Sequence, residues 1–549
     1  MSACWPSTLP PGKGKTLLPQ GTERHLRIFL WIVAAALGLS RFFWLAADFP
    51  NYSPWMIDQA KFTDEGWWAN AAVTHALTGH WHIAGDYNPA AALPVWPLLL
   101  GVLFHFTGVS IIGARALSAA FSVATLAVIY FLVRRYAASP VSAQAAVLLM
   151  ATSPFAFAFC RLAILDTLVV FEFCLMLLVA SFAGNAGKQR IWPLAALTLL
   201  VTAALLTKTT VAVLIPAVAW VAFRASASSG RGWRAFGRAI IAVIVAPLAL
   251  LKLWALLVSW LGYGSDYNYF FGVNAMPDID SAQTLHWLHD LAVNGFWIDR
   301  VLYPLVLAIL LAAIAFRRRL WRNPLFTASW LAIAGAAAFI FSRQDDYAPR
   351  YFLVMLAPVV FIVVLAFDHA LAPDPAASLR ESRVLLKALA PLVFILAVIL
   401  KRPALIGVRE SRSSRRSRIA ASLLAVCMAI AVAFNSVAIG NFLAHRQYQL
   451  YGAARQIAAT VRADRSRSQL LFGVSAAEVG LISGLPSING AYGIDDMAAK
   501  VAHYKPGWYL VWNEEIDHDA LAGHTIIPVA DYKIFDDDDR TTLVLYKVR

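Results

Sequence analysis

A succession of apolar runs constrains this chain more than any other feature. Most of the runs are about 17 to 25 residues long, the length a helix needs to cross a hydrocarbon layer of roughly 30 Å. Inside lipid every backbone polar group must be satisfied internally, so only helices or closed barrels span, and these runs are too continuous for barrel strands. With 60% hydrophobic residues, 14% charged residues and a mean hydropathy of +0.64, a soluble globule is excluded. The expected spans are 28–47, 112–133, 140–160, 167–183, 191–207, 209–223, 239–261, 301–316, 325–341, 351–367, 384–400 and 419–443. The apolar stretch 93–106 is shorter and interrupted by Pro94 and Pro97, so it is expected to lie in the interface. Residues 1–27 do not form a compact signal region and no cleavage pattern follows the first run, which reads as an anchor behind a cytoplasmic tail.

The formal charge of +14 is distributed as membrane-orientation signals rather than as a nucleic-acid patch. Lys13, Lys15, Arg24 and Arg27 precede the first span. Arg134 and Arg135, Lys188 and Arg190, Arg224 to Arg238, and Arg317 to Arg322 then recur at every second turn. The alternate turns are acidic or mixed, with Asp58, Asp64, Glu65 and Asp86, then Asp166, then Asp266 to Asp290, then Asp345 and Asp346. Basic turns inside put the acidic turns outside. Segment 401–418, with Lys401, Arg402 and Arg409 to Arg418, breaks the alternation. It is expected inside, which sends 419–443 outward and leaves the tail outside.

The tail, 444–549, changes character. Strand-length apolar pieces (Leu470 to Val474, Trp508 to Trp512, Thr542 to Tyr546) alternate with helix-like pieces such as Asp495 to His503, which reads as a small soluble α/β domain. The four cysteines lie in the N-terminal tail or in spans, so no disulfide framework supports it.

Ionisable groups at the mouth of a helix bundle are costly and are therefore functional candidates. Asp64 and Glu65 lie in outer loop 48–111, and Arg161 and Asp166 in the next outer turn. Lys208 lies between two spans, and Arg343, Tyr347, Arg350 and Tyr351 between two later ones, with Arg41 near the outer end of the first. Carboxylates beside cations suit proton removal from an acceptor while an anionic leaving group is held. Blander readings stay open. Asp64 suits a helix cap, Asp166 an ion pair with Arg161, and Lys208 and Arg350 interfacial snorkelling. His75, His80 and His82 lack the partners of a zinc site, Asp536 to Asp539 lacks the glycine and glutamate of a calcium loop, and no nucleotide-binding loop is present. Trp67, Trp68, Trp81 and Trp96 suit an interfacial belt or stacking on a sugar.

In order along the chain, Asp64-Glu65-Gly66, the Pro-rich stretch from Asn88-Pro89 to Trp96, Arg161 to Asp166, Leu206-Thr207-Lys208, and Arg350-Tyr351-Phe352 with Pro358 form a pattern. The chain resembles the GT-C glycosyltransferases that use polyprenyl-phosphate sugars, in particular protein O-mannosyltransferases and lipid A aminoarabinose transferases. The resemblance covers roughly 28–367, and the end of the tail, Leu543 to Tyr546, shares it. It implies a polytopic helical fold of about 11 to 13 transmembrane helices (28–443) with a small C-terminal α/β domain, in a bacterial inner membrane with the site facing the periplasm or cell exterior. It implies Asp64 as general base, Asp166 orienting acceptor or sugar, and inversion at the anomeric carbon. Glu65, Lys208, Arg350, Tyr351, Arg161 and Arg41 become substrate-binding candidates. The implied partners are a polyprenyl-phosphate sugar, a lipid, glycan or protein acceptor and membrane lipids, with no nucleic acid. No cofactor is firmly implied, and a divalent metal stays open. Asn88-Pro89-Ala90, Trp67-Trp68 and Thr207-Lys208-Thr209 depart from the family pattern, so donor sugar and acceptor are not assigned. The rival reading is a transporter or flippase of lipid-linked glycans, which requires charges along a transmembrane path.

Overall fold

The computed structural model describes residues 20–50, 59–61, 63–184, 192–227, 232–274, 301–315, 320–343, 348–371, 412–490, 492–512, 523–535 and 541–549, together with residues 279, 284–286, 289, 299 and 521. It is a bundle of apolar helices with α-helical loop segments and a five-stranded sheet gathered at one end.

The helices in order are α1 (Gln20–Ser40), α2 (Asp64–Thr78), α3 (Val95–Thr107), α4 (Ile111–Tyr136), α5 (Pro140–Thr152), α6 (Pro154–Phe159), α7 (Leu165–Ala180), α8 (Trp192–Thr207), α9 (Ile215–Ala227), α10 (Gly232–Ile240), α11 (Ala246–Trp260), α12 (Gly264–Asn274), α13 (Leu302–Ala315), α14 (Pro324–Phe341), α15 (Leu353–Leu371) and α16 (Arg412–Ala444). Among the described residues six stretches are long and apolar enough to cross a membrane, and α3, α5, α8 and part of α1 are shorter apolar helices. The chain is a multi-pass membrane protein. Breaks explain why fewer than 11 to 13 meet the length test. The expected span 140–160 divides at Ser153, whose hydroxyl accepts from Ala156 N–H and starts α6. The stretch 384–400 and residues 401–411 of the ambiguous basic segment lie outside the described residues.

The span containing α15 is the central one, with 94% of its apolar window buried, whereas the span formed by α10 and α11 has only 17% buried and faces outward. Arg350 and Tyr351 lie in the 3-10 turn Pro349–Phe352 that leads into α15. A cation at the mouth of the central helix is placed to meet groups from several neighbours.

Beyond α16 come α17 (Gln449–Ala463), β1 (Leu471–Phe472), α18 (Ala476–Ser483), β2 (Ser487–Ile488), α19 (Met497–Tyr504), β3 (Trp508–Trp512), β4 (Ile526–Lys533) and β5 (Thr542–Val548). The sheet order is β2-β1-β3-β5-β4, parallel between β1 and its neighbours and antiparallel in the β3, β5, β4 half. Period-two patterning sorts its faces. Trp508, Leu510 and Trp512 pack with α17 residues Leu450 and Ile457, and Tyr509 and Val511 pack with Phe472 and Val501. Strand β4 was not expected from the pattern. It carries Pro528 and a register shift before Ala530, which an edge strand tolerates.

Candidate active site

Four residues from separate parts of the chain meet at one end of the bundle. Asp64 opens α2, with Thr63 in the cap position, so the carboxylate is not consumed as the cap of its own helix. It pairs instead with Arg350, Nη2 to Oδ2 at 2.8 Å. Asp166 lies in the first turn of α7, where the helix N-terminus favours a negative charge. Its Oδ1 accepts from Lys208 Nζ at 2.7 Å and its Oδ2 lies 4.0 Å from Arg350 Nε. Lys208 is extended, at the break between α8 and the 3-10 turn Thr209–Leu214, so the helix interruption delivers the ammonium inward. Tyr351 lies beneath both cations, its ring centre 5.0 Å from Lys208 Nζ and 5.4 Å from Arg350 Cζ. The ion pair drawn earlier between Asp166 and Arg161 does not form; Lys208 takes that place.

The structure directs the other candidates elsewhere. Glu65, expected at the substrate, is buried with both oxygens engaged. Oε1 accepts from Arg115 Nε at 2.8 Å and Ala163 N–H at 2.6 Å, while Oε2 accepts from Arg115 Nη2. Arg161 donates to the carbonyls of Phe43 and Trp44 and lies between the rings of Phe157 and Phe442. Burial, with Arg115 and Arg41 nearby, lowers its guanidinium to about 10, so it stays charged near neutrality. Arg41 is wholly buried and donates to Ser122 Oγ and to the carbonyls of Met150, Ala151 and Ala156. These three side chains hold the loop and helix ends rather than joining the Asp64 cluster: Arg115 and a backbone N–H engage Glu65, and carbonyl oxygens draw one face of each of the guanidinium groups of Arg161 and Arg41.

Arg115 is the residue the sequence reading passed over. Besides Glu65 it donates to the carbonyls of Leu45 and Ala47, tying α4 to the segment after α1 and to α2. A charge four residues inside a long apolar run was the available signal. The C-terminal domain also takes part. Asp48 accepts from Leu450 and Tyr451 N–H at the start of α17. Asp86 pairs with Lys500 at 2.9 Å with both side chains at 0% exposure. Nothing local in the sequence marks these partners, separated by some four hundred residues.

His82 pairs with Asp266 at 3.1 Å, while His75 stacks on Trp81. Among the described residues no group of three histidine, cysteine or acidic side chains could hold a metal ion. Asp536 to Asp539, Tyr347, Asp345 and Asp346 lie outside the described residues.

A family model described as dolichyl-phosphate-mannose-protein mannosyltransferase matches residues 89–259. The fold is similar to that of ArnT from Cupriavidus metallidurans in the apo state, at 16% identity and a TM-score of 0.56, covering 96% of this chain and 98% of that one. The same protein bound to undecaprenyl phosphate gives 15% identity and 0.53, covering 94% and 98%. The apo oligosaccharyltransferase of Archaeoglobus fulgidus gives 12% and 0.51, covering 90% of this chain and 70% of that one. No curated protein matches the chain in sequence. The chain has the GT-C fold, and with the family-model match it is placed among the membrane glycosyltransferases of that superfamily.

Proposed function

We propose that this glycosyltransferase moves a sugar from a polyprenyl-phosphate donor to an acceptor hydroxyl on the outer face of the membrane, with inversion. The observation that carries the reading is the Asp64, Arg350, Asp166, Lys208 constellation: carboxylates and cations alternate within ion-pair distance at the mouth of the central helix. In this reading Asp64 takes the acceptor proton, the acceptor oxygen bonds to the anomeric carbon, and the bond from that carbon to the phosphate oxygen breaks with its electron pair leaving on phosphate. Arg350 and Lys208 neutralise the phosphate, a task fixed cations perform well in a poorly hydrated site. Asp166 keeps both cations in place and orients the sugar or acceptor. Glu65, Arg161 and Arg41 brace the loop and helix ends.

A lipid-phosphate donor is supported by the undecaprenyl phosphate bound to ArnT and by the dolichyl phosphate named in the family description. Outward orientation is supported by Arg134 and Arg135, which close α4 at the end opposite Arg115. Nineteen helical residues separate Arg115 from Arg134, roughly 28 Å at 1.5 Å per residue, so by the positive-inside rule the Asp64 end faces out. In a bacterial cell that membrane is the inner one and the site faces the periplasm. The test is incubation of membranes carrying the protein with a panel of radiolabelled polyprenyl-phosphate sugars, following where label goes. Label that never leaves the donor, for any sugar, would remove the proposal.

A further inference from the structure

The N-terminal turn of α2 carries the proposed base, and its backbone N–H groups need acceptors from outside the helix. Gly66 N–H finds one in the C-terminal domain: Glu478 Oε2, at 2.7 Å and 412 residues along the chain. The approach is close enough that a Cβ on Gly66 would overlap the backbone of Ala477 and Glu478, which is a physical reason for glycine beside Asp64-Glu65. Two further bonds fix the same helix against the same domain. Trp67 Nε1 donates to Val474 carbonyl at 2.9 Å, and Ser487 Oγ donates to Asn70 Oδ1 at 3.3 Å. Glu478 is 1% exposed, and its other oxygen, Oε1, is buried with no hydrogen-bond partner among the described residues.

We propose that Glu478 is a positioning residue for sugar transfer: from α18 it anchors the first turn of α2 and so sets where the Asp64 carboxylate stands relative to Arg350. The inference deepens the proposed reaction and rests on Asp64 being its base. Helix α18 thus supplies an acceptor that α2 lacks locally. Burial first, and then Glu65 nearby, push the Glu478 carboxyl well above the usual carboxylate range, against the pull of Arg115. The upward shift favours the protonated form, in which the carboxyl accepts from Gly66 N–H with less repulsion from Glu65 and Asp64.

The experiment compares full-length Glu478→Ala, Glu478→Gln and Asp64→Asn in detergent, using whichever labelled polyprenyl-phosphate sugar the wild type turns over fastest. Glu478→Ala is expected to lower kcat about tenfold or more while the donor KM stays within about twofold, since small misplacements of a reacting group cost rate rather than binding. Glu478→Gln keeps the acceptor for Gly66 N–H and is expected to retain most of the rate. Hydrogen exchange over residues 63–72 should rise in the alanine variant and not in the glutamine variant. Should Glu478→Ala not fold, Glu478→Asp, whose carboxyl is one methylene short of Gly66, takes its place with the same expectation. A wild-type kcat in the folded alanine or aspartate variant overturns the inference, as does a glutamine variant as slow as alanine. If Asp64→Asn remains active while Glu478→Ala is slow, the base assignment fails and the anchoring of α2 stands. The reverse pattern fails the anchoring alone.

Discussion

Arg350 Nη2 is paired with the Asp64 carboxylate at 2.8 Å, and Nε of the same guanidinium lies 4.0 Å from Asp166. The cation proposed to receive the donor phosphate therefore rests on the proposed base. A carboxylate held against a guanidinium is a weak base, because the ion pair favours its charged form. In the proposed reaction the donor phosphate competes for Arg350 and frees an Asp64 oxygen for the acceptor hydroxyl, which couples donor binding to activation of the base.

Asp64→Asn should lower sugar transfer by about 10²- to 10⁴-fold, the range associated with losing a positioned general base. The amide oxygen still faces Arg350, so membrane insertion and thermal stability should stay close to wild type. Initial rates of label transfer, read beside a melting curve, check this. Wild-type turnover would take Asp64 out of the role.

Lys208→Ala should reduce kcat/KM for the labelled donor by roughly 10²-fold, as expected when one cation opposite developing negative charge is removed. Lys208→Arg should recover part of the loss, since a charge is restored with different reach. Steady-state kinetics on the purified protein decide. Unchanged values for Lys208→Ala would mean that Lys208 serves only to neutralise Asp166.

Arg115→Met should destabilise the protein by about 3 to 5 kcal/mol, because it leaves the Glu65 carboxylate buried without its charge partner. Adding Glu65→Gln in the same chain should recover much of that stability. Denaturation midpoints of the two single variants and the double variant give the coupling, and purely additive losses would show that Glu65 and Arg115 do not act as a pair.

Two acids at contacts made by the C-terminal domain are pushed up by burial. Asp48 rises from 3.8 to about 6, with Arg115 and the Leu450 and Tyr451 N–H groups opposing the shift and Glu65 adding to it. Glu478 rises from 4.5. Each binds its proton more tightly in the folded chain than in the unfolded one. The stability each contributes is fully present below its ordinary pKa and is lost as pH rises through the folded value, which for Asp48 is a window from about 4 to 6 worth about 2 to 3 kcal/mol. The melting temperature in detergent should therefore carry a downward component across that window. Asp48→Asn should flatten it; an identical profile in the variant would exclude Asp48 as its source.

Asp64, Asp166, Lys208 and Arg350 were legible as candidates because a charge beside a long apolar run is costly, and the structure brings the four together. Their pairing was less legible. Asp166 takes Lys208 rather than the nearer Arg161, because Arg161 is drawn to the carbonyls of Phe43 and Trp44. Arg115 lies inside an expected span, and its pairing with Glu65, fifty residues earlier, has no signature in the local sequence. Spans were legible by hydropathy, as was the interruption at Lys208, but the turn at Ser153 divides a run that composition alone would have continued. The contact of Glu478 with Gly66 left no local trace, since a hydrogen bond across 412 residues is encoded only by the finished fold.

The Lys500–Asp86 pair carries a consequence for inheritance and engineering. One charge belongs to the loop between α2 and α3 and the other to the tail. Lys500 also donates to the Asn489 and Tyr492 carbonyls, and Asp86 accepts from Asn489 N–H. Exchanging the tail for that of a relative would strand a dry carboxylate against foreign backbone unless the loop travelled with it. The two segments, so far apart along the chain, are therefore expected to be exchangeable only together.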